Sequence, residues 1–251
     1  MLTRTAGSNP ALSVDFGGAF FGVRFIVRIV ELFYSLQGEG RLAGVPSVFV
    51  RLAGCPVRCR WCDTRYAWDF EAGQESTAEA VEKEGAKFDT RYWVLTGGEP
   101  MVQRGFEPFA GAIGRAGRHI TIETAGICYL PNLRCDLMSI SPKLSNSREG
   151  MSGQGDGAGS WLRLDVLKRL IGEYDYQLKF VVERPADFDE IADCLEKVGD
   201  VDPYKVYLMP QAASRTEYLE KSEWIAETCL KTGFSFSPRL QIMLWDGRAG
   251  R

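Results

Sequence analysis

The chain has 251 residues and a mass of 28.0 kDa, is 45% hydrophobic and 25% charged, and carries a formal net charge of −3. These values suit one soluble globular domain with a substantial core, and they give no electrostatic reason to expect a nucleic-acid or anionic-membrane partner. No apolar run approaches the roughly 20 residues that span a bilayer.

Residues 1–24 show little periodicity, and Asp15 and several glycines interrupt any apolar signal-peptide core. They read as a disordered extension or a start called too early, ahead of a single domain over 25–251. Val27 to Phe33 alternates as a strand does and runs into Tyr34-Ser-Leu36-Gln37-Gly38-Glu39-Gly40, a polar, Gly-rich turn. Such turns let backbone amides approach a ligand closely. Ser47 to Leu52 reads as a second strand, with Arg51 near its end.

It delivers the chain to Cys55-Pro-Val-Arg-Cys59-Arg-Trp61-Cys62-Asp63-Thr64. Thiolates spaced C-x3-C-x2-C in one loop can converge on one inorganic centre. A zinc site normally takes four ligands and a [4Fe–4S] cube has four irons, so three thiolates leave one metal position open. A cluster, a zinc loop borrowing a distant ligand, and reduced structural cysteines all remain compatible with the loop alone. The other cysteines, Cys128, Cys135, Cys194 and Cys229, are dispersed. They form no disulfide framework and read as small apolar residues in a reducing cytoplasm.

Further on, Ser76 to Lys87 reads as a helix capped by Ser76 or Thr77, with Glu79 placed for a capping box. Arg91 to Leu95 is a strand ending in Thr96-Gly97-Gly98-Glu99-Pro100. Phe106 to Ala116 is a helix. His119 to Glu123 and Asp136 to Ile140 are strands followed by Thr124-Ala125-Gly126 and Ser141-Pro142-Lys143. Residues 145–160 are rich in Gly and Ser and read as a flexible loop. Helices over 161–171, 187–198 and 215–231 alternate with strands over 177–182 and 204–209, the second leading into Gln211. Strands alternating with helices predict a parallel sheet or barrel, with polar clusters gathered at the carboxyl ends of its strands.

The cysteine spacing, followed by Gly97-Gly98-Glu99-Pro100 at a strand end, resembles the radical S-adenosylmethionine superfamily. Within it the chain resembles the 7-carboxy-7-deazaguanine synthase family from about residue 27 onward. The resemblance is carried by Phe33–Gly40, Val50–Cys55, Cys62-Asp-Thr64, Thr96–Pro100, Glu123–Gly126, Ser141-Pro-Lys143, Pro238-Arg-Leu-Gln241 and Leu244-Trp245. It implies an incomplete TIM-like (β/α) barrel, a homodimer, and conversion of 6-carboxy-5,6,7,8-tetrahydropterin to 7-carboxy-7-deazaguanine with loss of ammonia, a step of 7-deazapurine (queuosine) biosynthesis. It also implies a [4Fe–4S] cluster, S-adenosyl-L-methionine, Mg²⁺ and an electron donor such as flavodoxin or ferredoxin.

Carried over residue by residue, the resemblance assigns Cys55, Cys59 and Cys62 to the cluster and Thr64 to Mg²⁺. Trp61, Gly97, Gly98, Glu99, Glu123, Ser141, Lys143 and Gln211 fall to the cofactor pocket. Leu36, Gln37, Gly38, Glu39, Gly40, Arg51, Thr96 and Gln241 fall to the substrate. Plainer readings stand beside these: Thr64 as a helix cap or turn hydroxyl, Glu39 and Arg51 as a buried ion pair, and the only histidine, His119, as a surface or core packing residue. Gln241 stands where many family members carry histidine, so no titrating group is expected there. The competing activities are a glycyl-radical-enzyme activase and a non-catalytic zinc or iron–sulfur module.

Overall fold

The computed structural model describes residues 26–115, 117–148 and 161–246. The expected extension at 1–24 and most of the expected loop at 145–160 lie outside them. Nine strands form one sheet: β1 (Ile26–Leu36), β2 (Pro46–Leu52), β3 (Gln74–Thr77), β4 (Tyr92–Gly97), β5 (His119–Thr124), β6 (Leu137–Ile140), β7 (Tyr176–Val182), β8 (Val206–Pro210) and β9 (Ser235–Phe236). Their spatial order is β3-β1-β2-β4-β5-β6-β7-β8-β9. β1 runs antiparallel to both of its neighbours, and every pairing from β2 to β9 is parallel. β3 and β9 are the two edges, so the architecture is a partial TIM-like barrel. The helices are α1 (Ala78–Gly85), α2 (Phe106–Gly114), α3 (Leu164–Glu173), α4 (Asp187–Val198), α5 (Arg215–Thr232) and α6 (Leu240–Trp245).

Period-two alternation decides which residues reach the site. On β2 the fully buried Val48, Val50 and Leu52 join the helix-covered core, while Phe49 and Arg51 face the opposite side. The same split places Trp93 and Leu95 in the core against Thr96, Ile120 and Ile122 against Glu123, and Met138 and Ile140 against Ser139. On β7, Leu178, Phe180 and Val182 are core, whereas Lys179 and Val181 face the inner side. The polar turns after β2, β4, β5, β6 and β8 lie at the carboxyl ends of these parallel strands as expected, whereas the turn after β1 leaves from the opposite end, since Leu36 pairs with Pro46, and reaches the same cavity along the inner face.

Several elements differ from expectation. Residues 74–77 pair with β1 as β3 before the first helix begins, so the cap is Thr77, whose hydroxyl accepts from Ala80 N at 3.3 Å. The helix expected from 161 starts at Leu164. Residues 145–147, expected as loop, form a 3₁₀ turn that is fixed in place: Asn146 Nδ2 donates to Val181 O at 3.0 Å and to Asp187 Oδ2 at 2.9 Å. His119 packs against Tyr92 at the opposite end of β5 from the polar turns, and burial pushes its imidazole pKa down.

Candidate active site

The cysteine loop leaves β2 and is pinned by backbone hydrogen bonds. Gly54 and Cys55 donate to the carbonyls of Ala67 and Trp68 at 2.8 and 3.1 Å, while Gly98 N reaches Leu52 O at 2.9 Å and Glu99 N reaches Gly54 O at 2.8 Å. A Cβ on Gly98 would lie 2.3 Å from the Gly54 oxygen and 2.8 Å from Cys55 Cβ, so only glycine lets the turn after β4 rest on the loop. Glu99, 1% exposed, locks this turn by accepting from Thr124 Oγ1 (2.7 Å), Ala125 N (2.6 Å) and Met101 N (3.3 Å). Burial pushes its carboxyl up, and those three donors pull against it.

Cys55, Cys59 and Cys62 line one wall of a cavity of about 280 Å³. Burial pushes the Cys55 and Cys59 thiols up, so loading a metal there must displace protons. Cys62 Sγ accepts from Trp68 Nε1 at 3.3 Å and Thr64 N at 3.4 Å, and Thr64 Oγ1 lies 3.5 Å from it. Lys143 donates to Ser141 Oγ at 2.7 Å and lies over the Trp61 ring, 5.5 Å from its centroid.

The facing wall is a charge network centred on Lys179, whose side chain is 3% exposed. Its ammonium reaches Glu39 Oε2 at 2.9 Å and Glu123 Oε1 at 3.3 Å. Burial alone would push Lys179 down, but the Glu123 and Glu39 carboxylates prevail and hold it above its ordinary value. Burial likewise works to raise Glu39, and Lys179 and Arg239 overcome it, keeping the carboxyl well below the usual range. Gln37 Nε2 and Thr96 Oγ1 donate to Glu123 at 3.2 and 3.0 Å, and Gln241 Nε2 donates to Glu39 Oε1 at 2.9 Å. Arg51 Nε pairs with Glu31 at 2.6 Å, leaving its two terminal nitrogens without a hydrogen bond to any described residue.

The residues singled out from the sequence line this one cavity, with two exceptions. Glu99 has both carboxylate oxygens committed to the turn. Gly40 supports from behind, its φ of +66° and the Gln177 amide 2.3 Å from any Cβ requiring glycine. The alternative Glu39–Arg51 ion pair is not formed: Glu31 lies directly across the β1–β2 ladder from Arg51 and takes it instead. Thr64 precedes a 3₁₀ turn but makes no side-chain capping bond, which leaves its hydroxyl facing Cys62. Glu123, expected beside the cofactor, hydrogen-bonds the substrate-side residues Gln37 and Thr96. Gln211 Oε1 is held by Lys221 Nζ at 3.0 Å. Sequence reasoning missed Lys179 and Arg239, which also line the cavity. The signal for Lys179 was available as a lone charge on the inward register of an apolar strand.

The cavity suits the groups that the resemblance implies. Three thiols share a wall, the Trp61 indole N–H beside them is buried without a partner among the described residues, and glycine clears the space next to Cys55. Among the described residues no three Cys, His, Asp or Glu side chains meet as the ligands of a single ion do.

Comparison with known proteins agrees with this geometry. The sequence model of the Radical SAM superfamily matches residues 50–209. A 7-carboxy-7-deazaguanine synthase of Halobacterium salinarum is 36% identical, over 96% of this chain and 93% of that one. A protein of the same name from Pyrobaculum aerophilum is 39% identical, over 90% of this chain and 97% of its own. Among solved structures, the crystal structure of QueE from Escherichia coli superposes with a TM-score of 0.67 at 26% identity, covering 85% of this chain and 93% of that chain. The chain therefore belongs to the radical SAM superfamily and, within it, to the 7-carboxy-7-deazaguanine synthase family.

Proposed function

We propose that this chain is a radical SAM lyase that converts 6-carboxy-5,6,7,8-tetrahydropterin to 7-carboxy-7-deazaguanine with loss of ammonia, in 7-deazapurine (queuosine) biosynthesis. The observation that carries the reading is the pairing, in one cavity, of a three-thiol wall with a facing wall of carboxylates, amides and guanidinium. Cys55, Cys59 and Cys62 hold the [4Fe–4S] cluster; Gly97, Gly98, Ser141, Lys143 and Gln211 receive S-adenosylmethionine, with Trp61 shielding them. When bound, cluster and S-adenosylmethionine supply the radical that starts the ring contraction, and the chain's own residues supply binding and orientation.

Gln37, Glu39 and Glu123 present acceptors to the N–H groups of the pterin edge, as a donor-rich heterocycle requires. The free fork of Arg51 suits the substrate carboxylate. Thr64 offers a hard oxygen to Mg²⁺, with the remaining positions taken by substrate and water. A cavity of about 280 Å³ suits a small bicycle better than the protein substrate of a glycyl-radical activase. A homodimer, a protein electron donor such as flavodoxin or ferredoxin, and a reducing cytoplasm complete the proposal; the seven free cysteines support the last of these. No helix among the described residues is long and apolar enough to cross a membrane.

The test is an anaerobic, dithionite-reduced assay of reconstituted protein with S-adenosylmethionine, Mg²⁺ and 6-carboxytetrahydropterin, read by mass spectrometry. 7-Carboxy-7-deazaguanine should form and should be lost in Cys59→Ala. Release of 5′-deoxyadenosine without that product would keep the radical chemistry and overturn the substrate assignment.

A further inference from the structure

The segment after β9 touches both walls of the cavity. Ser237 Oγ accepts from Gly40 N at 2.9 Å, Leu240 N donates to Gly38 O at 3.0 Å, and Gln241 holds Glu39. Arg239 adds the opposite wall. Its Nη2 lies 3.0 Å from Asp63 Oδ2 and its Nη1 donates to Ala212 O at 2.8 Å. Its Nε faces Glu39 Oε1 across 3.5 Å, yet it is buried and makes no hydrogen bond among the described residues. The Arg239 side chain is 11% exposed, whereas that of Asp63 is 62% exposed.

We propose that Arg239 is a positioning residue for the reaction, tying the end of the cysteine loop at Asp63 to Glu39 in the turn after β1. The inference rests on the substrate assignment above. The two segments come from different strands, and Asp63 and Glu39, both anionic, repel each other unless a cation sits between them. Arg239 is that cation, and its planar fork serves two directions at once. Because Asp63 adjoins Cys62 and Thr64, the tie sets the distance between the metal-bearing loop and the turn that reads the pterin. The buried Nε–H makes no hydrogen bond among the described residues, so the Glu39 carboxylate 3.5 Å away is what balances its charge.

The experiment compares reconstituted wild type, Arg239→Gln, Asp63→Ala and the double variant. It reads the Kd for 6-carboxytetrahydropterin by anaerobic calorimetry, kcat and KM, the Kd for S-adenosylmethionine and the cluster absorbance. Each single substitution is expected to weaken pterin binding about tenfold, and the double variant no further, because both break one tie. Absorbance and S-adenosylmethionine affinity should stay within about twofold of wild type. Arg239→Lys, which keeps the charge without the fork, should recover part of the loss. Losses that multiply in the double variant would overturn the proposal, as would a parallel loss of absorbance and S-adenosylmethionine affinity, which marks general disruption. A wild type that binds no pterin would overturn the substrate assignment and the inference with it, a failure visible in that control alone.

Discussion

Lys179 holds one positive charge between two carboxylates in a nearly water-free position, and its removal leaves Glu123 with no ion pair among the described residues and Glu39 with Arg239 alone. Lys179→Met is expected to cost about 3 kcal/mol at pH 7 in chemical denaturation, the loss typical when one partner of a buried ion pair is deleted. The sign of the pH dependence follows from the shifts. In the wild type Glu39 is held below its unfolded value, so its stabilisation is complete above roughly pH 4.3 and fades as pH falls through the folded value. Lys179 is raised, so its contribution is complete below roughly pH 10.4 and fades as pH climbs through the folded value. Neutral pH lies on the plateau of both. Without the lysine, Arg239 and Gln241 alone oppose burial at Glu39, so its carboxyl rises from the wild-type position and protonation relieves part of the lost pairing. The penalty should then shrink from pH 7 to pH 5, and an equal penalty at both pH values would contradict the network described here. The cysteines, Gln37, Glu39 and Arg51 were legible because they sit in motif-bearing turns and strand ends. Lys179 and Arg239 were not: their partners lie 140 and 176 residues away in sequence, and only the folded sheet brings the charges together.

At the scale of elements, the site is a set of strand-end turns sewn to one another. The turn after β4 rests on the cysteine loop, and Glu99 fastens it to the turn after β5. Gly98→Ala tests this fit, since the new methyl would meet backbone at Gly54 rather than a movable side chain. Overpacking of this kind costs about 1–3 kcal/mol. The variant should fold with unchanged circular dichroism but carry less iron per chain and bind S-adenosylmethionine at least about tenfold more weakly. Normal iron content and affinity would show that the turn does not bear on the loop. Most strands and helices were readable from periodicity, and Asp187–Val198 matched residue for residue. Ser76 and Thr77, expected at the start of the helix, instead end β3, because Gln74–Thr77 is too short to show alternation and its strand character comes from pairing with β1. β9 and α6 are short elements fixed by contacts with β8, α5 and the Glu39 turn rather than by local pattern.

Over the whole molecule, an open sheet with edges at β3 and β9 gathers the turns after its parallel strands at one end, the turn after β1 enters from the other, and the segment 237–241 joins the last strand to it. The alternation of strands and helices announced the barrel class. Closure by a non-strand segment was not legible, because Ser237, Arg239 and Gln241 acquire their partners only when β9 has added to β8. The proposed reaction requires that the three thiols on the cavity wall hold an iron–sulfur cluster with one position open to S-adenosylmethionine. The direct measurement is metal and sulfide analysis of anaerobically reconstituted protein, with electron paramagnetic resonance of the reduced sample before and after adding S-adenosylmethionine. Such a cluster gives about four irons and four sulfides per chain and a signal that changes on addition, both lost in Cys59→Ala. A single zinc per chain, or a cluster signal indifferent to S-adenosylmethionine, would contradict it.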